Sequence, residues 1–484
     1  MSKEINITNF AQMNPQVPQY SDKNQNYLIA GANPVYYLQD GTQEEQVAPL
    51  SASLNWSQIA SGLDGNIVHM IPSTSATFSV YAVTDTSKVY GITTSGVTSL
   101  GYPSGNSQNN AGCYLAIGGG YLFMTDGVNS VYKMALPNNS WSAISGTGLI
   151  SGIGVHIMEP FLDFIALRDG TSSYTQGGLI KKLDVTSFVV SNGIDLGNGF
   201  GVIQMRNLNN KYLAIAGGQV SAGGVINGYP QNYIFLWDGI SSRYNYSVKV
   251  PGQFIDMKVV DSVLYVAVKV ASGKTCIYYL NGTKLTKVFT TQYSNINTGI
   301  YAPIINSLFD FKNYLGIQLN STSDINNPLL IYGKEETGNI EFIHSTGYNF
   351  NCKTVGYDGN IFADTYLLPN TALYYLPASG NYQQIEYKSQ WIPVKNLQAI
   401  DIIYDTPPQG GTDAINVTIY GQGEDFISGS DTIPLTPITS TSKLNAKRTR
   451  LDCQGFTGDQ VMIKITTVNS TWRPCIRGIK LITE

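Results

Sequence analysis

The chain has 484 residues and a formal net charge of -4, so it lacks the clustered cationic excess that marks a nucleic-acid-binding surface. Its 49 glycines and 32 tyrosines suit a turn-dense all-β protein too long for one ordinary core, and no segment sustains helical apolar spacing. Five widely spaced cysteines, Cys113, Cys276, Cys352, Cys453 and Cys475, exclude a zinc ligand pattern and a dense disulfide frame, which leaves buried free thiols as the expectation.

Residues 1–26 read as an extended N-terminal arm, polar except for the alternating Glu4-Ile5-Asn6-Ile7-Thr8-Asn9-Phe10. Alternation predicts a strand with one apolar face, and a terminal strand without a local hairpin must pair with something distant. Pairing within the chain is the preferred reading, a neighbouring subunit the other, so Ile5, Ile7 and Phe10 are interface candidates. The opening residues lack the apolar stretch of a signal peptide and no segment reaches membrane-spanning length, so the expectation is synthesis in a cytoplasm without a membrane anchor.

Residues 27–387 carry two ladders in phase. Val35–Leu38, Val89–Ile92, Val131–Met134, Ile180–Leu183, Ile234–Trp237, Ile277–Leu280, Leu330–Tyr332 and Leu373–Leu376 recur at steps of roughly 42 to 54 residues, the length of one four-stranded propeller blade. A second series, anchored at Tyr81, Leu122, Ile165, Leu213, Leu264, Leu315 and Ile361, precedes seven of them and reads as inner strands buried on both faces. Asp126-Gly127, Asp169-Gly170, Asp238-Gly239, Asn281-Gly282 and Asp358-Gly359 supply turns that need positive φ. The prediction is a seven-bladed β-propeller, with eight blades as the alternative. Val35–Leu38 has no preceding inner strand, so the N-terminal segment is expected to complete a blade begun elsewhere and close the ring. The insertion Gln219–Pro230 reads as a projecting loop, which makes Val225, Ile226 and Tyr229 gate candidates.

Residues 388–484 break this rhythm. Ala399–Tyr404, Ile415–Tyr420, Val461–Val468 and Ile476–Leu481 mostly alternate, which predicts a jelly-roll-like β-sandwich with one wet and one buried face per sheet. Lys443, Lys447, Arg448 and Arg450 come nearest to a basic cluster, and on a strand they split between two faces, as on a solvated surface.

Catalytic chemistry is not written in this sequence. His69, His156 and His344 lack metal-ligand companions, and no nucleophile elbow occurs, so no catalytic, metal or cofactor residue is assigned and no cofactor is expected. The enzyme alternative is a propeller glycosidase using two carboxylates from Asp163, Asp256, Asp310 and Asp364, each of which also suits a turn or cap.

Residues 79–127, from Ser79-Val-Tyr-Ala-Val-Thr84 through Lys88-Val-Tyr-Gly-Ile92 to Gly119-Gly-Tyr-Leu-Phe-Met-Thr-Asp-Gly127, resemble blades of tailed-bacteriophage virion propellers. The opening Ile5–Phe10 and the Tyr387–Trp391 run into a sandwich are similar to phage structural proteins, the tail nozzle or packaged-DNA stabilisation family of short-tailed phages in particular. That resemblance implies a non-enzymatic virion tail protein, made in the bacterial host. It implies a homo-oligomeric ring of six that contacts other tail, adaptor or tail-fibre proteins and passes DNA without specific binding. A host-glycan-binding module of the tail is the alternative function.

Overall fold

A computed structural model of the chain describes most of residues 56–290 and 350–483. Outside these it describes 3–7, 27–30, 32–37, 50–52, 308–311, 314–318, 329–332 and 339–343. Phe10, Val225, Ile226, Tyr229, His344 and Cys352 fall outside the described set or its described side chains. Every regular element among the described residues is a β-strand, and no helix is long and apolar enough to cross a membrane. The chain folds into two compact units.

The larger unit, residues 57–327 with 347–378, is a β-propeller. Five consecutive antiparallel four-stranded sheets cover 67–101, 114–144, 158–195, 200–249 and 253–290. The hairpin of Leu308–Phe311 and Tyr314–Gln318 follows. A last sheet combines Phe350–Val355, Ile361–Thr365 and Leu373–Leu376 with the distant strand Ser57–Ile59. The first strands touch in order, Ile67–Pro72 against Tyr114–Gly118, then Met158–Phe161, Phe200–Leu208, Gln253–Val260, Leu308–Phe311, Phe350–Val355 and back to Ile67–Pro72. The cycle closes, so these first strands encircle one axis.

Both sequence ladders map onto the middle of the sheets. The Tyr81–Ile361 series forms second strands, and the aromatic-centred series forms third strands. Second strands are buried on both faces because each sheet packs between two others, as in Val80–Thr84, where all five residues are buried. They are not the innermost strands, as the ladder suggested; those lie one hairpin upstream. Fourth strands are more exposed, as in Trp141–Ile144, where only Ile144 is buried. Gly127, Gly239, Gly282 and Gly359 of the expected turn pairs all hold positive φ.

Ring closure uses the N-terminal side of the chain, at a different strand from the expected one. Ser57–Ile59 supplies the fourth strand of the last sheet, with Ile59 opposite Leu373. Two further bonds tie that sheet to the first: Ser79 Oγ donates to Asp358 Oδ2 at 2.6 Å, and Tyr357 N donates to Ser79 O at 2.9 Å. The Val35 segment lies instead in Ala32–Tyr37, an outer strand alongside Asn339–Ile343 in the other unit.

The smaller unit gathers residues 1–56, 328–346 and 379–484. In one sheet Cys475–Thr483 is flanked by Leu397–Tyr404 on one side and by Lys3–Ile7 and Leu50–Ala52 on the other. In the second, Gln460–Val468 lies between Ala414–Gln422 and Glu386–Lys388, with Tyr27–Ala30 beyond. Their alternating apolar residues meet in one core that includes Tyr387, Ile400, Ile402, Ile415, Val417, Ile463, Ile465, Ile479 and Leu481. The terminal strand Lys3–Ile7 pairs within the chain, and Ile5 and Ile7 pack against that core instead of standing free for another subunit.

Arg448 and Arg450 point outward as expected, yet both hold the fully buried Asp401. Burial alone would raise that carboxyl, but bonds from Arg450 and Arg448 bring it below its ordinary value. Thr449, between them, turns inward to share a 2.7 Å bond with Tyr404.

Candidate functional site

The axis of the propeller carries the most concentrated polar chemistry in the described structure. A first strand bonds to its sheet along one edge only, so its other edge faces the axis with open backbone N–H groups. Here, side chains from the preceding sheet fill part of that need. His69 Nδ1 accepts from Leu115 N at 3.1 Å, Glu159 Oε1 from Asn207 N at 2.8 Å, Gln204 Oε1 from Met257 N at 2.8 Å, and Asp256 Oδ2 from Leu308 N at 2.8 Å. Each is an acceptor on one first strand reaching an amide on the next, so the device repeats around the ring.

A second set of contacts binds these latches together. Gln204 Nε2 donates to Asp256 Oδ1 at 2.7 Å, which locks the Gln204 amide in the orientation that leaves Oε1 for Met257. The buried Arg206 donates from Nε to Met257 O at 3.1 Å and from an Nη to Met205 O at 2.9 Å, and its guanidinium lies 3.7 Å from Glu159. Lys258 and Asp310 continue the series, giving Glu159, Arg206, Lys258 and Asp310 on four successive first strands.

Burial dominates the electrostatics of this girdle. It raises the carboxyl groups of Glu159 and Asp256 above their ordinary values, only partly opposed by Arg206 and by the hydrogen bonds they accept. Burial and the neighbouring Arg206 cation lower Lys258, against the pull of Glu159, Asp310 and Asp256. His69 falls from 6.5 to about 3 for the same reasons, burial first and then Arg206 and Lys258. Geometry agrees, because a ring nitrogen that accepts from Leu115 N carries no proton. The neutral imidazole stacks on Tyr114 with centroids 3.6 Å apart.

Of the four acids proposed from sequence, Asp256 and Asp310 stand on adjacent first strands, while Asp163 and Asp364 lie apart from them. Asp256 is buried in the girdle as an acceptor, and Asp310 is half-buried beside it on the next first strand. Asp163 sits in the exposed turn after Phe161, and Asp364 is buried on a second strand. His156 is likewise structural, its ring nitrogens 2.9 and 3.1 Å from the carbonyl oxygens of Arg168 and Val128. Among the described residues no cluster of His, Cys, Asp or Glu could hold a metal ion, and Cys113, Cys276, Cys453 and Cys475 form no disulfide. Burial pushes Cys113 up to about 11 and Cys453 up to about 12, which makes both poor nucleophiles at neutral pH.

Sequence reasoning missed His69, Glu159, Gln204, Arg206 and Lys258. The signal was a third ladder: Glu159, Arg206, Lys258 and Asp310 recur at steps of roughly 47 to 52 residues, one blade apart.

No protein-family model and no curated protein matches the chain. Among solved structures, it is similar to the β-propeller domain of Cps50 (Swd1) from Myceliophteria thermophila, at 11% identity over 66% of this chain and 99% of that one, with a TM-score of 0.46. It is similar to the WD40 β-propeller domain of Doa1 at 10% identity over 66% of this chain and 96% of that one, with a TM-score of 0.44. U3-55K gives 11% identity over 66% of this chain and 98% of that one, with a TM-score of 0.46. The first two are described as β-propellers, the fold of the larger unit here.

Proposed function

We propose that the chain is a non-enzymatic structural protein, a seven-bladed propeller with a jelly-roll-like sandwich, that acts through shape as a subunit of a homo-oligomeric bacteriophage tail nozzle. One observation carries the non-enzymatic part. Glu159, half-buried, and Asp256, fully buried, lie at the axis where a propeller enzyme would place its chemistry, and both are already engaged as acceptors of backbone amides from the next sheet. A carboxylate held that way stabilises the ring and is poorly placed to trade a proton with substrate. The virion role rests on the likeness of residues 79–127 and of the two terminal segments to phage tail proteins. The modest charge balance is compatible with DNA passing without being held.

Native mass spectrometry of the purified full chain, alone and with a tail adaptor, tests the assembly, and a glycan array with a turnover assay tests its rivals. A ring of identical chains with no glycan retained supports the reading. A stable monomer that retains host polysaccharide, or measurable hydrolysis lost in Asp256→Asn, overturns it.

A further inference from the structure

The turn after Trp237 is held far more firmly than an exposed turn requires. Asp238 accepts from Ile240 N at 2.8 Å, Ser241 N at 2.7 Å, Ser241 Oγ at 2.7 Å and Asn245 Nδ2 at 3.0 Å, while Trp237 Nε1 donates to Ser241 O at 2.7 Å. What this rigid turn presents is apolar: Ile240 is 84% exposed, and Tyr244 and Tyr246 are exposed behind it. Leu162 comes within 3.3 Å of the position a Cβ on Gly239 would take. It is 49% exposed and holds φ at +52, a backbone conformation that a leucine adopts only at a cost. Neither burial nor backbone preference explains Leu162 and Ile240 where they stand. A preorganised apolar knob is what an interface uses, because the ordering cost has been met before binding.

Charge identifies the partner. Asp163 is exposed beside Leu162, on the third-sheet side of the patch. Arg243 and Lys211 are exposed on the fourth-sheet side, and Lys211 lies 5.5 Å from the Tyr212 ring, which in turn packs edge-on against Tyr246. An apolar centre with Asp163 at one edge and Arg243 and Lys211 at the other, and with the half-buried Lys182 ammonium tied to Gly239 O, is complementary to itself after a half-turn. We propose that this patch is a contact between two copies of the chain about a two-fold axis. Ile240 and Leu162 pack at the centre, and Asp163 of each copy meets Arg243 of the other.

The few side chains involved cover much less than the roughly 800 Å² per partner of a stable interface, so the contact is weak, with Kd on the order of 10–100 µM. Sedimentation velocity from about 5 to 300 µM on the full chain tests it, a range chosen to bracket that Kd. A monomer–dimer equilibrium is expected, weakened roughly tenfold or more by Ile240→Asp and by Arg243→Asp, since tenfold corresponds to about 1.4 kcal/mol. The double variant D163R/R243D is expected to restore it. All these positions are exposed, so circular dichroism should be unchanged. A monomer across the range, an association indifferent to Ile240→Asp, or a double variant as weak as the single one overturns the inference. A larger ring that persists in Ile240→Asp removes this contact and leaves the nozzle reading standing.

Discussion

Replacing Asp256 with Ala is expected to cost the propeller unit about 2–3 kcal/mol. Two donors lose their acceptor, Leu308 N and Gln204 Nε2, while Met257 N keeps Gln204 Oε1. An orphaned buried donor costs about 1–3 kcal/mol, which brackets the loss at about 2–6 kcal/mol. Burial raises the Asp256 carboxyl, so its ionised form is itself costly inside the ring, and removing it returns part of the loss. That offset places the expectation at the low end. Asp256→Asn retains one oxygen for Leu308 N and should cost about 1 kcal/mol. Urea unfolding followed by fluorescence, with Trp141 and Trp237 inside the unit, measures both. A loss below about 0.5 kcal/mol for the Ala variant, the size of an ordinary surface change, would refute the latch argument. So would an Asn variant less stable than the Ala one.

Other consequences follow from the same structure. His69 is lowered to about 3 in the fold, so its contribution is present above about pH 6.5 and is lost as pH falls toward 3. Glu159 and Asp256, being raised, act oppositely and lose stability as pH rises through their folded values. His69→Gln, which keeps an acceptor, should therefore show a smaller loss of stability between pH 6.5 and 3 than the parent, read by thermal melts. A Cβ at Gly91 would lie 2.6 Å from the Phe78 ring, so Gly91→Ala should cost about 1–3 kcal/mol and be partly rescued by Phe78→Leu in denaturant titrations. Ser79→Ala removes the hydroxyl bond across the ring seam and should cost about 1 kcal/mol by the same assay. Replacing both Arg448 and Arg450 with Met strands the buried Asp401. About 1–3 kcal/mol is expected by calorimetry, below the full cost of an unpaired buried charge because both guanidinium groups are partly screened by water.

The propeller was legible because its second strands are buried on both faces and, with the most buried third strands, read as unbroken apolar runs, such as Val80–Thr84 and Ile234–Trp237. First strands were not, since Gln204, Arg206, Asp256 and Lys258 interrupt the apolar pattern. Only the closed cycle brings residues of separate blades into contact and turns scattered polar residues into a girdle. The closing strand was misplaced for a related reason: Ser57-Gln58-Ile59 is three residues long and carries no pattern of its own, whereas Val35–Leu38 mimics a third strand. In the smaller unit, the alternation in Ile400-Asp401-Ile402 marked a strand, yet Asp401 is as fully buried as its two neighbours. The alternation could not report that two arginines from a neighbouring strand make the buried carboxylate tenable.

The central claim is that the open inner edges of the first strands are closed by acceptors from the preceding sheet. Amide hydrogen exchange at Leu115, Asn207, Met257 and Leu308 measures this directly, because each amide belongs to an edge that would otherwise exchange freely. The account predicts protection at all four comparable to the second strands, with Leu308 losing it selectively in Asp256→Ala. Exchange at these four sites as fast as in the exposed turns would contradict it.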